Sequence, residues 1–480
     1  MFFRQLYDQS LAQASYVIGC QATGEAIVVD PLRDIAPYLE VARAEGLRIT
    51  HITETHIHAD FVSGARELQA ATGARLFLSA EGGTDWQYGY AATDGATLLR
   101  DGSQIMVGNL RFDVMHTPGH TPEHIAFVVT DTPRGAGPMG ILTGDFVFVG
   151  DVGRPDLLER AAKVANTMEA GARTLFQSLD RFRALPDHLQ VWPGHGAGSA
   201  CGKALGAVPS TTVGYEKLAN WAVAETNEEL FVQQVLAGQP EPPRYFADMK
   251  RINREGPALL NTRTPFEALS TAEVLDRLPA DDVWVIDLRT APAFADGHVP
   301  RTLSVPRGRS FSNWVGSLVP IAHDVILLSG APNAGGIDTP ADVQQAADHL
   351  AAIGFDHVRG WTDAGSLLEA WQSRGHVPSR IPQLTSAALS AMPESSAPVV
   401  IDVRGQSEWS GGHLPGARHI PLGALPDHLA DLPDGPIVVQ CQSGARSAVA
   451  TSLLHRAGRT DALNLVGGYQ AWRAAGLTTV

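Results

Sequence analysis

His51–Phe61 reads HITETHIHADF. Its first half reads as the end of a strand, and its second half places polar groups where that strand stops. Alternate residues of an extended segment point the same way, so His56 and His58 face one cavity and Asp60 can join them. Three later clusters share this setting: His116–Thr121 (HTPGHT), Gly140–Asp145 (GILTGD) and Val191–His195 (VWPGH). Each sets a His or an Asp where an apolar stretch runs into a Gly or Pro turn, as ligands held at a sheet edge would be. Taken singly, His51, His116, His124 and His188 read as surface or core histidines. Taken together, separated clusters in the order H-x-H-x-D, H, D, H read as a metal site.

Outward from this segment the pattern stays mixed. Ser15–Gly19 and Ala26–Asp30 predict strands joined by a turn at Ala22-Thr23-Gly24. Ile35–Glu45 predicts a helix and Ile49–Thr55 a strand, and Arg111–Met115, Ile125–Thr130 and Gly140–Thr143 continue the β pattern. Helices packed on sheets are implied. The Pro-rich Gly238–Arg244 (GQPEPPR) closes this first domain near residue 245.

The rest of the chain repeats itself. VWVIDLRTAPAFADGHVPRTLSVP (Val283–Pro306) matches PVVIDVRGQSEWSGGHLPGARHIP (Pro398–Pro421), with Asp287 paired to Asp402, Arg289 to Arg404 and His298 to His413. Each copy continues with an apolar strand, a loop and a helix: SGAPNAGG (Ser329–Gly336) before Pro340–Ile353, and CQSGARS (Cys441–Ser447) before Ser447–Arg456. A repeat of about a hundred residues is too long for a solenoid unit and predicts two tandem α/β domains, over 262–378 and 381–480. With 480 residues and roughly 150 per domain, three domains also fit the length.

Composition narrows the class. Hydrophobic residues make up 44% and charged residues 18%, so the chain is globular rather than disordered. A formal net charge of −15 disfavours nucleic acid and anionic membrane as partners. There is no apolar run long enough for a membrane span and no signal-like start, and three cysteines cannot form a disulfide framework. A reducing, cytoplasmic location is expected.

Cys441 follows the apolar strand Pro436–Gln440 and precedes a helix. Loop amides and a helix N-terminus there would stabilise a thiolate, and Arg446 adds positive charge. The loop alone suits a nucleophile that handles an anion or a terminal persulfide, with a buried core cysteine as the bland alternative. In the first copy Ser329 stands where Cys441 does, and no arginine closes the loop. Cys20 reads as a small buried hydrophobe.

The N-terminal motifs resemble those of the metallo-β-lactamase fold, an αββα sandwich with metal between its loops. Most hydrolases of that fold carry T-H-x-H-x-D-H, whose last histidine helps hold a second zinc; here that position is Phe61. A phenyl ring cannot ligate, so the resemblance leaves one metal, on His56, His120 and Asp145. Two imidazoles and a carboxylate form a facial set with open positions, which favours non-haem Fe(II) and oxygen chemistry. This subset, with Gly144–Asp156 (GDFVFVGDVGRPD), resembles the persulfide dioxygenases related to the mitochondrial ethylmalonic encephalopathy protein. The resemblance implies one Fe(II) per chain with O2 as co-substrate. It implies that His58, Asp60 and His195 orient ligands or bind substrate, and that Arg154 holds a substrate anion or a structural ion pair.

Asp402-Val-Arg404, Gly412–Ala417 (GHLPGA) and the short C-x4-R loop resemble rhodanese sulfurtransferases. Cys441 would then carry sulfane sulfur in a cradle of Gln442, Ser443, Gly444, Ala445 and Ser447, closed by Arg446, with Arg404 and Glu408 as structural groups. The whole chain is similar to persulfide dioxygenase–sulfurtransferase fusions: an α/β multidomain protein with an N-terminal αββα sandwich, a degenerate rhodanese domain and an active one. The resemblance implies oxidation of low-molecular-weight persulfides to sulfite, thiosulfate made or consumed at Cys441, and a homo-oligomer. Glutathione-dependent members usually place an aromatic after the last histidine. Here His195 is followed by GAGSACGKALG, so glutathione, cysteine, coenzyme A and bacillithiol all stay open as carriers, and Cys201 is a candidate relay thiol. A zinc-dependent glyoxalase II-like thioester hydrolase and a metal-stabilised docking module are the competing readings of the N-terminal domain.

Overall fold

The computed structural model describes all residues except 161–166, 204, 263–264, 331–339 and 394–396. Most of the SGAPNAGG loop therefore lies outside the described residues. Two compact units are formed, one of Met1–Thr262 with Ala352–Gly354, the other of Arg263–Ala351 with Phe355–Val480.

The first unit holds two six-stranded sheets. One runs in chain order through Phe2–Asp8, Gln13–Cys20, Glu25–Val29, Arg48–Thr53, Arg75–Ser79 and Thr97–Leu99. The other is built from Gln104–Val107, Leu110–His116, Ile125–Asp131, Gly140–Gly144, Gln190–Pro193 and Thr211–Thr212. Period-two alternation explains their stacking. Tyr16, Ile18, Ile27 and Val29 turn into the seam shared with Phe112, Val114 and Phe127 of the second sheet. Val17, Ala26, Val28 and Ile52 turn outward onto Tyr38, Ala42 and Leu68, contributed by the helices Ala36–Ala44 and Ala65–Thr72. On the far side Ile141 and Val191 pack on Ala172, Leu175 and Leu179 of the helix Met168–Arg183. Three apolar layers give the αββα order, and each fully buried aromatic such as Phe112 contributes about 1.5–3 kcal/mol.

The unit does not stop at residue 245. The helix Phe246–Glu255 buries Asn253, whose side-chain amide donates to the carbonyls of His58 (2.8 Å) and Phe61 (2.7 Å) while its oxygen accepts from the Ser63 amide (2.9 Å). The segment after the proline-rich stretch thus fixes the backbone of the histidine motif.

The second unit contains two five-stranded parallel sheets with the same connectivity. Their central strands, Asp324–Ser329 and Ile437–Gln440, are almost wholly apolar because helices cover both faces. Leu328 lies opposite Asp287, and Gln440 lies opposite Asp402. Ser329 therefore occupies the place of Cys441.

The helix Ala445–Arg456 is buried continuously from Ser447 to His455, which its small and hydroxylated residues permit. The cysteine-less repeat covers part of it. Ser304 donates its amide to Ser452 Oγ (3.0 Å), and the Arg456 guanidinium lies over Trp284 (4.0 Å) and donates to Val283 O (3.0 Å). Among the described residues, no helix is long and apolar enough to cross a membrane.

Candidate functional site

Asp30 and Thr55 set the entrance to the histidine motif. Asp30 sits at φ 51°, a conformation that costs a non-glycine residue about 1 kcal/mol or more. It accepts from the Thr55 amide (2.6 Å) and hydroxyl (2.9 Å), and from His58 Nε2 (3.1 Å). Because the Thr55 hydroxyl is spent on Asp30, it accepts from His56 Nδ1–H at 3.0 Å. That leaves the lone pair of His56 Nε2 for the cavity.

The same logic orients two more rings. His120 Nδ1 donates to Arg154 O (3.0 Å) and His195 Nδ1 to Ala12 O (3.0 Å), so both present Nε2 inward. The three Nε2 atoms converge on Asp145 Oδ2, from His120 and His195 at 3.5 Å each and from His56 at 4.0 Å. Gly194 permits this approach, since a Cβ there would lie 2.7 Å from Asp145 Oδ1.

The charges of this cavity are set by burial. His56 is held well below the ordinary imidazole range by burial, and its neighbours His58, His120 and His124 add to the effect. Burial lowers His120 too, opposed in part by Asp145. His58 is the exception. Burial disfavours its cation, but Asp30, with Asp60 and Glu54, more than offsets this and holds its pKa near 9. Burial raises Asp60 against the pull of His195 and His58, and lifts Glu54 to about 8. His58 Nδ1, both Asp145 oxygens, both Asp60 oxygens and His195 Nε2 are buried without a hydrogen-bond partner.

The carboxylate oxygens and the His195 lone pair are acceptors, costly to bury unless a proton or a metal ion satisfies them. His56, His120 and Asp145 bring their ligand atoms within 4.8 Å of one another and form one group able to hold a metal. Asp60, His195 and Cys201 form a second such group. Phe61 is fully buried with its ring 4.4 Å from that of His58. The structure thus brings His58, Asp60, His195 and Cys201 beside the triad.

Arg154 does otherwise. It is fully buried, gives Nε and Nη2 to the Asp156 carboxylate at 2.8 and 2.7 Å, and gives Nη1 to Ala200 O at 2.9 Å. Each of its three nitrogens thus donates to the protein, and Arg154 is held in a buried ion pair with Asp156. Its carbonyl orients His120, and its guanidinium ties down the segment leading to Cys201.

Sequence reasoning missed His124. Its Nε2 accepts the backbone amide of Asp145 at 3.1 Å while its Nδ1 meets Thr117 Oγ1 at 2.8 Å. The four-residue spacing of His116, His120 and His124 was the available signal, but spacing does not separate a ligand from a group that positions one.

In the second unit Cys441 is buried at the end of its strand. The Gly444 amide donates to its sulfur at 3.1 Å, and Gly444 reaches this position with φ 98°, where a side chain would be strained. Ser447 Oγ lies 3.6 Å from the sulfur and donates to Asn464 Oδ1 at 2.7 Å. Gln442 accepts from the Gln470 amide through its carbonyl, and Ser443 and Ala445 line a cavity of about 550 Å³ beside the loop. The helix begins at Ala445, so Arg446 lies in its first turn rather than in the loop before it. Arg446 gives both terminal nitrogens to Glu408, whereas Arg404 gives Nε and Nη2 to Asp402.

Residues 10–195 match the metallo-beta-lactamase superfamily and residues 385–475 the rhodanese-like domain. A solved metallo-beta-lactamase from Staphylococcus aureus is 40% identical, with a TM-score of 0.66, over 75% of this chain and 98% of its own. The chain belongs to the metallo-beta-lactamase superfamily. Within that superfamily it resembles two enzymes with different chemistries. Hydroxyacylglutathione hydrolase of Rhodospirillum rubrum is 31% identical over 38% of this chain and 60% of that relative. Human persulfide dioxygenase ETHE1 is 26% identical over 41% of this chain and 68% of that relative. The chain thus spans about three-fifths to two-thirds of these relatives' lengths. A metallo-beta-lactamase superfamily domain with candidate metal sites, followed by a rhodanese-like domain, is what the chain contains.

Proposed function

We propose that the protein is a non-haem iron persulfide dioxygenase coupled to a sulfurtransferase. The observation that carries this reading is the His56–His120–Asp145 triad beside a buried Phe61. The donor set fits a single hard-to-borderline divalent ion with open positions. When bound there, Fe(II) would supply the activation of O2. Residues of the chain do the rest. Ala12 and Arg154 carbonyls and Thr55 fix the imidazole tautomers, and His124 fixes Asp145. His58, held cationic by Asp30, places positive charge beside an incoming persulfide anion. The overall reaction is RSSH + O2 + H2O → RSH + sulfite + 2 H⁺.

At the second centre, the Cys441 thiolate attacks the terminal sulfur of a second persulfide, the S–S bond breaks, and the thiol leaves. The Gly444 amide and the helix N-terminus stabilise the new terminal sulfur anion. Sulfite then attacks that sulfur, thiosulfate leaves, and the thiolate returns. The reverse sequence consumes thiosulfate. Residues about 262–378 would be a degenerate rhodanese domain, since Ser329 cannot carry a persulfide.

A second reading, a zinc-dependent thioester hydrolase, draws on the Asp60–His195 pair and the hydrolase relatives. Parallel assays separate the two. Oxygen uptake on glutathione or coenzyme A persulfide without hydrolysis of S-lactoylglutathione supports the dioxygenase. Hydrolysis without oxygen uptake overturns it.

A further inference from the structure

The cavity of about 550 Å³ beside the Cys441 loop lies within the second unit and is shared by its two repeats. The loop supplies Ser443, Gly444 and Ala445 to its wall. Gly444 also donates its amide to the Cys441 sulfur at 3.1 Å, so the wall lies one residue from the reacting atom. Another part of the wall comes from the cysteine-less repeat, through the helix Ala291–Asp296 and Ser304. The volume is that of a small-molecule site.

The lining is mostly apolar, with Phe294, Ile381 and Val466 among its residues, and Val466 is left 45% exposed there. Of the polar side chains, Asn464 and Gln383 are bonded to each other at 2.8 Å. Ser304 differs. Its amide is used on Ser452, but its hydroxyl is buried without a hydrogen-bond partner in a residue only 1% exposed. A buried hydroxyl left alone forfeits a hydrogen bond that a ligand in the cavity would restore. Among the described residues, no lysine, arginine or histidine lines the cavity, and its one charged side chain is the exposed carboxylate of Asp296. Arg446 and Arg404 do not line it, and each is bonded to its own carboxylate.

We propose that this cavity receives the organic part of the persulfide carrier, and that Asp296 of the cysteine-less repeat selects small amine-bearing carriers over carriers bearing carboxylates or phosphates. The inference rests on the sulfurtransferase reading of Cys441. In that step the Cys441 thiolate attacks the terminal sulfur of R–S–SH, the S–S bond breaks, and the carrier leaves as RSH with the proton. Apolar walls hold the carbon chain, and Ser304 Oγ hydrogen-bonds a polar group on it. Asp296 attracts an ammonium and repels an anion, and the net charge of −15 acts in the same direction. The cysteine-less repeat thereby has a task that needs no sulfur chemistry of its own.

Persulfides of cysteamine, N-acetylcysteamine and 3-mercaptopropionate are of similar length and differ in charge. The full chain, kept anaerobic, is given one of them with sulfite, and thiosulfate formed above the Cys441→Ser rate yields kcat/KM. The cationic carrier should exceed the anionic one by roughly three- to tenfold, the size of one charge–charge interaction in a wet cleft. Asp296→Asn should bring this ratio towards one, and Asp296→Lys should invert it. Ser304→Ala should raise KM for the neutral carrier with little change in kcat. Equal kcat/KM for the cationic and anionic carriers in the unsubstituted chain, or a preference that survives Asp296→Lys, overturns the proposal and leaves the sulfurtransferase reading intact. Failure of Cys441 to take sulfur from any of the three, or from thiosulfate, overturns that reading and the proposal with it.

Discussion

Arg446 gives both terminal nitrogens to the Glu408 carboxylate, at 2.6 and 2.7 Å, five residues after the cysteine whose loop it closes. The guanidinium is therefore aimed by a partner on the neighbouring short helix rather than free to swing. Arg446→Lys keeps the charge and loses the planar fork, and a fall of about tenfold in kcat/KM for sulfur transfer from thiosulfate is expected. Glu408→Gln should give a loss of the same order. Hydrogen bonds from Arg446 hold the Glu408 pKa below the usual carboxylate range. The pair's contribution is thus present above the unfolded carboxylate pKa and lost only as pH falls through the lower folded value. Unchanged kcat/KM in both variants would show that Arg446 is structural.

Asp145 depends on His124 through its backbone amide. His124→Ala should lower metal affinity of the triad roughly 10- to 100-fold while leaving transfer at Cys441 unaffected. Competition with a chelator measures the first quantity and a thiosulfate assay the second. Wild-type metal affinity in the variant would contradict the positioning role.

His58 supplies a pH signature. Its folded pKa of about 9 lies above the imidazole's unfolded value of about 6.5. Its contribution to stability is full below the unfolded value and is lost as pH rises through 9, by up to about 3 kcal/mol. Metal-free protein should show this loss between pH 6 and 10 in chemical denaturation, and Asp30→Asn should abolish most of it. Identical pH profiles for parent and variant would refute the pairing.

Cys441→Ser separates the two chemistries. Oxygen uptake on a persulfide should persist, sulfite should accumulate, and thiosulfate should form only at the uncatalysed rate. Undiminished thiosulfate formation would remove Cys441 from the scheme.

Much of this was legible because the candidate metal ligands occur at strand ends, where apolar runs meeting Gly/Pro turns leave a clear trace. The strand Leu110–His116 follows a period-two alternation, while Gln13–Cys20 and Glu25–Val29 are legible instead as largely apolar runs buried on both faces. The repeat placed Ser329 opposite Cys441 for the same reason, since parallel strands keep a common register. What stayed hidden depends on contacts far apart in sequence. Arg154 offered an anion contact or an ion pair, and the partners of its ion pair, Asp156 and the Ala200 carbonyl, carry no motif of their own. His124 resembled a core histidine because its partner is a backbone amide 21 residues away. Asn253 carried no signal at all, since its partners are carbonyls and an amide of the histidine motif. Phe2–Asp8, whose pairing with Gln13–Cys20 makes it the first strand, lacks a clean alternation at the sequence level.

The central claim is that the triad works with iron and oxygen. Metal analysis of anaerobically purified protein, combined with oxygen uptake on glutathione persulfide or coenzyme A persulfide, tests it most directly. The account predicts about one iron per chain and one O2 consumed for each sulfite formed. Two zinc ions per chain with no persulfide-dependent oxygen uptake would contradict it.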